Sequence, residues 1–327
     1  MILMAFRYIN PGYASLIVDT KIEQVESLVY NPTNGVAFTG KDTENDVETD
    51  TFHMDSAPDK LFGRFDLYLD GGEDEEDYGA LKFGIKNASS GSALRLGFKI
   101  HSFYDADLTN VYTITDPIVY DSEPCLEVNK VNEITFSIRF NLEDTYRETG
   151  TAELTINGNK KIWKFHGYNY SDQIKSFAIF FCGTNSNAGR HYVSNLILSD
   201  AEISENEKVA VLPISSTETN MTEGTSGLYI ADASNQTLLQ SVDVEELIKS
   251  YGANIKITGI ELVGNPAYKT TEDINSLVVL SKAGESIAEH GTFNLSGDST
   301  AIIMDGWTDN ISVNNLRNMR FGWKAGE

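Results

Sequence analysis

Between Gly63 and Asp70 the chain reads GRFDLYLD, with Phe65, Leu67 and Leu69 at one parity and Arg64, Asp66, Tyr68 and Asp70 at the other. A period of two marks a strand, because successive side chains leave a pleated backbone on opposite faces. This alternation predicts a strand with one buried side and a polar outer side. Similar runs return in ALKFGIKN (80–87), ALRLGFKIHSF (93–103), VYTIT (111–115), NEITFSIRFN (132–141), TAELTINGNKKIWKF (151–165), KSFAIFFCG (175–183) and HYVSNLILSD (191–200). Turn residues separate them: Ser89-Ser90-Gly91 joins two runs, and Asn157-Gly158 is the dipeptide best suited to a tight hairpin. Many short strands with no intervening helix pattern predict a sandwich or jelly roll.

The composition changes after residue 200. Residues 201–225 are polar, contain Pro213 and a Ser/Thr-rich stretch, and read as a linker or long loop. A second part opens with a strand pattern, SGLYIAD (226–232), followed by the chain's one extended helical pattern, DVEELIKSYG (243–252). There Asp243 is placed to cap, Glu246 to complete a capping box, and Gly252 to stop the helix, with Val244, Leu247, Ile248 and Tyr251 along one face. Further strand patterns follow, and ISVNNLRNM (311–319) predicts a short helical turn. The expected fold class is therefore mainly β: a jelly-roll or β-sandwich N-terminal domain over 1–205 with an N-terminal arm, a linker over 206–225, and a smaller β-rich domain over 226–327 with one or two short helices. A length of 327 residues suits two domains at roughly 100–200 residues each.

Charge restricts the partners. With 25 Lys and Arg against 48 Asp and Glu, the net charge is −23, so phosphate backbones and anionic membrane surfaces are repelled and nucleic-acid binding is not expected. The N-terminus MILMAFRYINPGYASLIVD has no basic leader region and is interrupted by Arg7, Asn10 and Pro11, so neither a signal peptide nor a membrane insertion is expected. Two cysteines, Cys125 and Cys182, make no disulfide framework.

The strand pattern of FGRFDLYLD, the hairpin LTINGNKKIWKF (154–165) and the terminal strand HYVSNLILSD together resemble the concanavalin A-like lectin/glucanase superfamily, laminin-G-like modules in particular, over residues 30–205. The C-terminal segment GWTDNISVNNLRNMRFGWKAG (306–326) resembles a tail found on phage and prophage structural proteins, through Trp307, Thr308, Ile311, Val313, Leu316, Phe321, Gly322 and Lys324. The first resemblance implies a sandwich that holds a structural calcium; the acidic turn Glu73, Asp74 and Asp77 supplies candidate ligands, set against an ordinary solvated loop. The second implies a virion component synthesised in the host cytoplasm, with other virion proteins and copies of itself as partners.

Catalytic patterns are sparse. Glucanases of this superfamily carry Glu-x-Asp-x-Glu on one strand, whereas Asp66-Leu67-Tyr68-Leu69-Asp70 has Tyr at the centre and shorter acids at the ends. The histidines His53, His101, His166, His191 and His290 show no zinc spacing, and no GxSxG or phosphate-binding loop is present. Two loops, HGYNYSD (166–172) and CGTNSNAGRHY (182–192), combine aromatic rings with amides, a pairing suited to stacking on sugar faces and bonding hydroxyls. Tyr168, Tyr170, Asn185, Asn187, Arg190 and His191 are the candidate glycan contacts, against the plainer reading of polar hairpin loops. Trp163, Trp307 and Trp323 fall within packed patterns and read as core. The expectation is a non-enzymatic phage structural protein (tail, fibre or head surface) with a lectin-like domain for host-surface polysaccharide. A stand-alone bacterial carbohydrate-binding module or adhesin, and a glucanase-type hydrolase, are the alternatives.

Overall fold

The computed structural model describes residues 7–17, 21–41, 47–48, 52–53, 60–70, 80–87, 93–100, 108–114, 119–120, 126–127, 129–140, 150–165, 174–182, 190–225, 228–264, 274–295 and 303–326. Two compact units emerge: Ile9–Val209, and Ala210–Glu327 together with Arg7 and Tyr8. Strand β1 (Arg7–Asn10) spans the boundary between the two, and the strands of the first then run β2 (Ile22–Glu26), β3 (Val36–Gly40), β4 (Val47–Glu48), β5 (Phe52–His53), β6 (Lys60–Leu69), β7 (Ala80–Asn87) and β8 (Ala93–Ile100). They continue as β9 (Leu108–Ile114), β10 (Val119–Tyr120), β11 (Leu126–Glu127), β12 (Val131–Phe140), β13 (Gly150–Ile156), β14 (Asn159–Phe165), β15 (Ile174–Cys182) and β16 (His191–Ser199).

These strands form two antiparallel sheets. The first runs β14-β13-β12-β6-β16-β3-β2. The second runs β10-β9-β8-β7-β15-β4, with β11 on β9 and β5 on β15. Side chains at one parity of each sheet meet in the middle: Phe136 of β12 stacks on Phe177 of β15 at 6.2 Å, and Phe38 of β3 meets Phe181 of β15 edge-on at 6.2 Å. Leu61, Phe65, Leu67, Ile134, Ile138 and Ile179 fill the layer between them without exposure. The unit is thus a β-sandwich, as the alternation predicts.

Local chemistry fixes the register. Asn157 and Gly158 adopt φ of 48° and 81°, the two positive values of a type I′ turn, and pair β13 with β14 from Ile156 and Asn159 onward. The Asn157 side chain also accepts from the Glu133 amide, tying the hairpin tip to β12. On β6, Gly63 lies opposite Phe136, and a Cβ there would overlap the phenyl ring.

The expectation of a half-solvated β6 needs correction. Arg64, Asp66 and Tyr68, its supposed polar face, are as buried as the core face. Segments remote in sequence cover them: the turn around Tyr30 and Asn31, and the stretch through Ile203 to Val209 that packs on Ile197, Phe62 and Ile9.

The smaller unit carries β17 (Ile214–Thr219), β18 (Thr222–Glu223), β19 (Tyr229–Ile230), β20 (Thr237–Val242), α1 (Glu245–Tyr251), β21 (Lys256–Gly264), β22 (Ser276–Ala283), β23 (Ser286–Asn294), β24 (Ile303–Ser312), α2 (Val313–Leu316) and β25 (Met319–Gly326). Its main sheet runs β17-β20-β25-β22-β23, and β21 pairs with β24. Residues 214–219, read above as linker, form the edge strand of this sheet; they are almost wholly exposed, so no apolar face marks them in the sequence. Trp307, Val313, Leu316, Phe321 and Trp323 form the core with Val244 and Val279. Both tryptophans are core residues here, while the Trp163 side chain lies outside the described set. Helix α1 starts one residue later than a capping box at Asp243 requires: Asp243 accepts from the Glu245 amide, and Glu246 pairs with Lys249 instead. Tyr251 is exposed, and Gly252 at φ 86° ends the helix. Arg7 also belongs here: its guanidinium donates to the Thr258 carbonyl at 3.4 Å, and its chain passes over Gly259 and Gly306, where any Cβ would collide with it.

Gly63→Ala tests the sandwich packing. The methyl must displace Phe136, which is held by Phe65 and Phe177. A loss of about 1–3 kcal/mol is expected in urea unfolding of the sandwich; an unchanged midpoint would contradict the packing described.

Candidate functional site

The outer face of the first sheet is closed by a buried polar network. Arg64 has no exposed surface and sits 3.3 Å from Asp66, with Glu133 at 3.8 Å. Asn195 donates to the second Asp66 oxygen at 2.6 Å. It reaches that position through a bulge: β16 slips register against β6 between Ser194 and Ile197, and Asn195 takes φ 49°. Asn34 donates to the Asn195 amide oxygen at 2.8 Å and to the Val209 carbonyl at 3.1 Å, while Asn31 bonds the carbonyls of Pro11 and Val36. Lys208 closes the rim on Glu133 at 2.5 Å.

Burial pushes the Asp66 carboxyl above the usual aspartate range, and the Arg64 charge and the Asn195 bond only partly oppose it. Asp66 and Asp70 lie four residues apart on one strand, or about 13 Å at 3.3–3.4 Å per residue, beyond the 5–9.5 Å that glycoside hydrolysis uses. Of this nearest sequence match to a glucanase motif, Asp66 is held in the buried cluster with Arg64 and Asn195. Replacing Asp66 by Ala leaves a buried guanidinium with only a partly exposed carboxylate nearby and should cost about 3–5 kcal/mol, whereas R64M/D66L should recover most of that loss. Chemical denaturation of both variants checks this; equal losses would show that the charges contribute nothing beyond their volume.

Of the loop residues nominated for glycan contact, Tyr168, Tyr170, Asn185 and Asn187 lie outside the described residues, as do Glu73, Asp74 and Asp77 of the acidic turn. Among the described residues no group of three His, Cys, Asp or Glu side chains is placed to hold a metal ion. Arg190 is half-exposed and pairs with Glu23 of β2 at 2.8 Å. His191 is 4% exposed, stands opposite Leu69, and its Nε2 meets no hydrogen-bond partner. Such a ring packs as core and offers a sugar no contact. Sequence proximity to the Asn-rich loop suggested otherwise, but β16 already begins at His191 and parity turns it inward.

Burial lowers the His191 pKa to about 3 from 6.5. The folded state therefore keeps the ring neutral, and its contribution to stability is complete above pH 6.5. As pH falls from there towards 3, the unfolded chain gains a proton that the folded chain refuses, costing about 1.4 kcal/mol per pH unit. His191→Gln should flatten the acid-side fall in stability by about one proton; an unchanged slope would contradict a buried neutral ring.

The second sheet has a different character. Phe177, Ile179 and Phe181 face the first sheet and pair with Ile85, Phe83 and Leu81 of β7, which pair in turn with Leu94, Leu96 and Phe98 of β8. Strands β7 and β8 include Lys82, Lys86, Arg95 and Lys99. Strands β7, β8, β9 and β15 contain no carboxylate. The sequence reading did not single out this composition, although it lies within the strand patterns quoted above.

No family model and no curated protein matches the chain. Among solved structures, it is similar to an alginate lyase, Aly36B (14% identity, 60% of this chain and 95% of that chain covered, TM-score 0.34). It is also similar to a lectin from Bauhinia forficata in complex with GalNAc (10%, 60% and 97%, TM-score 0.35). A third likeness is to the CBM2 module of the evolved Dit of Lactobacillus casei BL23 phage J-1 (9%, 62% and 99%, TM-score 0.39). These are distant likenesses. Among the described residues no helix is long and apolar enough to cross a membrane.

Proposed function

We propose that this chain is a non-enzymatic glycan-binding component of a phage virion, with the sandwich as the binding unit. The observation that carries the reading is the contrast between the two sheets. The outer face of the first is sealed by buried polar contacts. Strands β7, β8, β9 and β15 of the second hold five lysine and arginine residues and no carboxylate to serve as acid or base. That composition suits holding a hydroxyl-rich polymer, and fold alone does not assign the role.

The virion role rests on the resemblance of residues 306–326. Symmetric assembly with copies of itself is the expected form.

Two measurements test this reading. The purified protein should be retained by immobilised bacterial surface polysaccharide without generating new reducing ends; their release would favour the hydrolase alternative, and no retention would remove the glycan role. Light scattering should give a defined oligomer, and a clean monomer at all concentrations would favour a stand-alone binding module.

A further inference from the structure

The polar seal over β6 stops at Tyr68, and past the end of that strand the outer surface changes character. Tyr68 pairs with Tyr192 and Leu69 with His191, and the Asp70 amide donates to the Arg190 carbonyl at 2.8 Å, which carries the ladder one residue further. Leu69 and His191 are buried on the core side, so the alternation puts Tyr68, Asp70, Tyr192 and Arg190 together on the outer side. Glu23 of β2 reaches the same corner and holds the Arg190 guanidinium at 2.8 Å.

Tyr30, from the 27–35 turn, roofs this corner. Its ring stacks on Tyr192 with centroids 3.9 Å apart and planes 5° from parallel, and it meets Tyr68 edge-on at 4.9 Å. The centroids of Tyr68 and Tyr192 are 6.3 Å apart. These three distances make a right angle at Tyr30, so Tyr68 stands beside its ring and Tyr192 beneath it. Neither covers the second face. Tyr30 keeps part of its surface exposed, on a turn where Leu28 and Val29 are 69% and 58% exposed.

The polar groups around the tyrosines have capacity to spare. Asp70 is partly exposed, and among the described residues its carboxylate makes no hydrogen bond or ion pair. Burial pushes the Tyr68 and Tyr192 hydroxyls above the usual phenol range, and the Asp70 charge adds to the shift at both, so Asp70 lies within electrostatic reach of the two. Arg190 is half-exposed and gives one donor to Glu23, out of the five that a guanidinium carries. Asp70 stands two residues from Tyr68, about 7 Å along the strand, and about 5 Å across from Arg190. One sugar ring bridges such a span.

We propose that this corner binds one neutral pyranose residue of a glycan, its apolar face on Tyr30, two neighbouring hydroxyls donating to Asp70 and a further oxygen accepting from Arg190. The inference rests on the glycan-binding reading above and adds a site and the charge of the ligand; it needs no contact from the second sheet. Two carboxylates, Asp70 and Glu23, oppose an acidic sugar. Arg190 opposes an organic cation, and tyrosines stacked on one another lack the several open faces of an aromatic cage.

The test is saturation-transfer difference NMR of the full chain, followed by titration, with the methyl α-pyranosides of glucose, galactose and mannose, with methyl α-galacturonide and with choline. At least one neutral glycoside should bind, and the galacturonide should bind more weakly than the galactoside. D70N and Y30L should each weaken the bound glycoside about tenfold or more. E285Q, at an exposed turn of the smaller unit, should leave it unchanged. Circular dichroism checks folding; if Y30L does not fold, D70N and R190Q are read instead. Binding that D70N and Y30L leave intact overturns the site and leaves the glycan-binding reading standing. Tighter binding of the galacturonide or of choline overturns the neutral-sugar class. No binding of any neutral glycoside overturns the proposal, and retention of the unaltered protein by immobilised polysaccharide then decides the wider reading separately.

Discussion

The Arg64–Asp66 pair is the constraint on which the rest of the sandwich depends. A guanidinium without exposed surface needs a counter-charge close by. Asp66 provides the charge, Asn195 bonds Asp66, and Asn34 and Asn31 connect that cluster to the turn at 27–35 and to the Val209 carbonyl. The bulge in β16 exists at the one place where Asn195 must reach this group. Three separate stretches of chain (β16, the 27–35 turn and the segment at Val209) therefore meet over the outer face of β6, and that face is closed to a ligand.

The second sheet differs from the first in composition. It shares the aromatic core through Phe177 and Phe181, and its strands β7, β8, β9 and β15 hold lysine and arginine but no carboxylate. The functional proposal starts from that difference between two sheets of the same sandwich.

Local features of the fold were legible in the sequence. Alternation located β6, β7, β8, β12, β15 and β16, and Asn157-Gly158 located a hairpin, because both signals depend on neighbouring residues. The buried outer face was not legible: Asn31 and Asn195 are 164 residues apart, and nothing local distinguishes Asp66 from a solvated strand aspartate. The edge strand at 214–219 was hidden for the opposite reason, since an exposed edge needs no apolar parity. As for the site, His191 ends the Asn-rich loop and opens the HYVSNLILSD strand pattern, and only its place opposite Leu69 shows it buried. The residues of ALKFGIKN and ALRLGFKI were legible as strands, whereas the register between the two required the structure.

The most direct measurement is amide hydrogen exchange of the intact protein and of Asn195→Ala, read by mass spectrometry. The account predicts that losing the Asn195 bond to Asp66 speeds exchange in the 27–35 turn and in β16, while the β20, β22 and β25 strands of the smaller unit exchange as before. Unchanged exchange in the 27–35 turn and β16 would contradict the claim that the Arg64–Asp66 cluster holds these segments over β6.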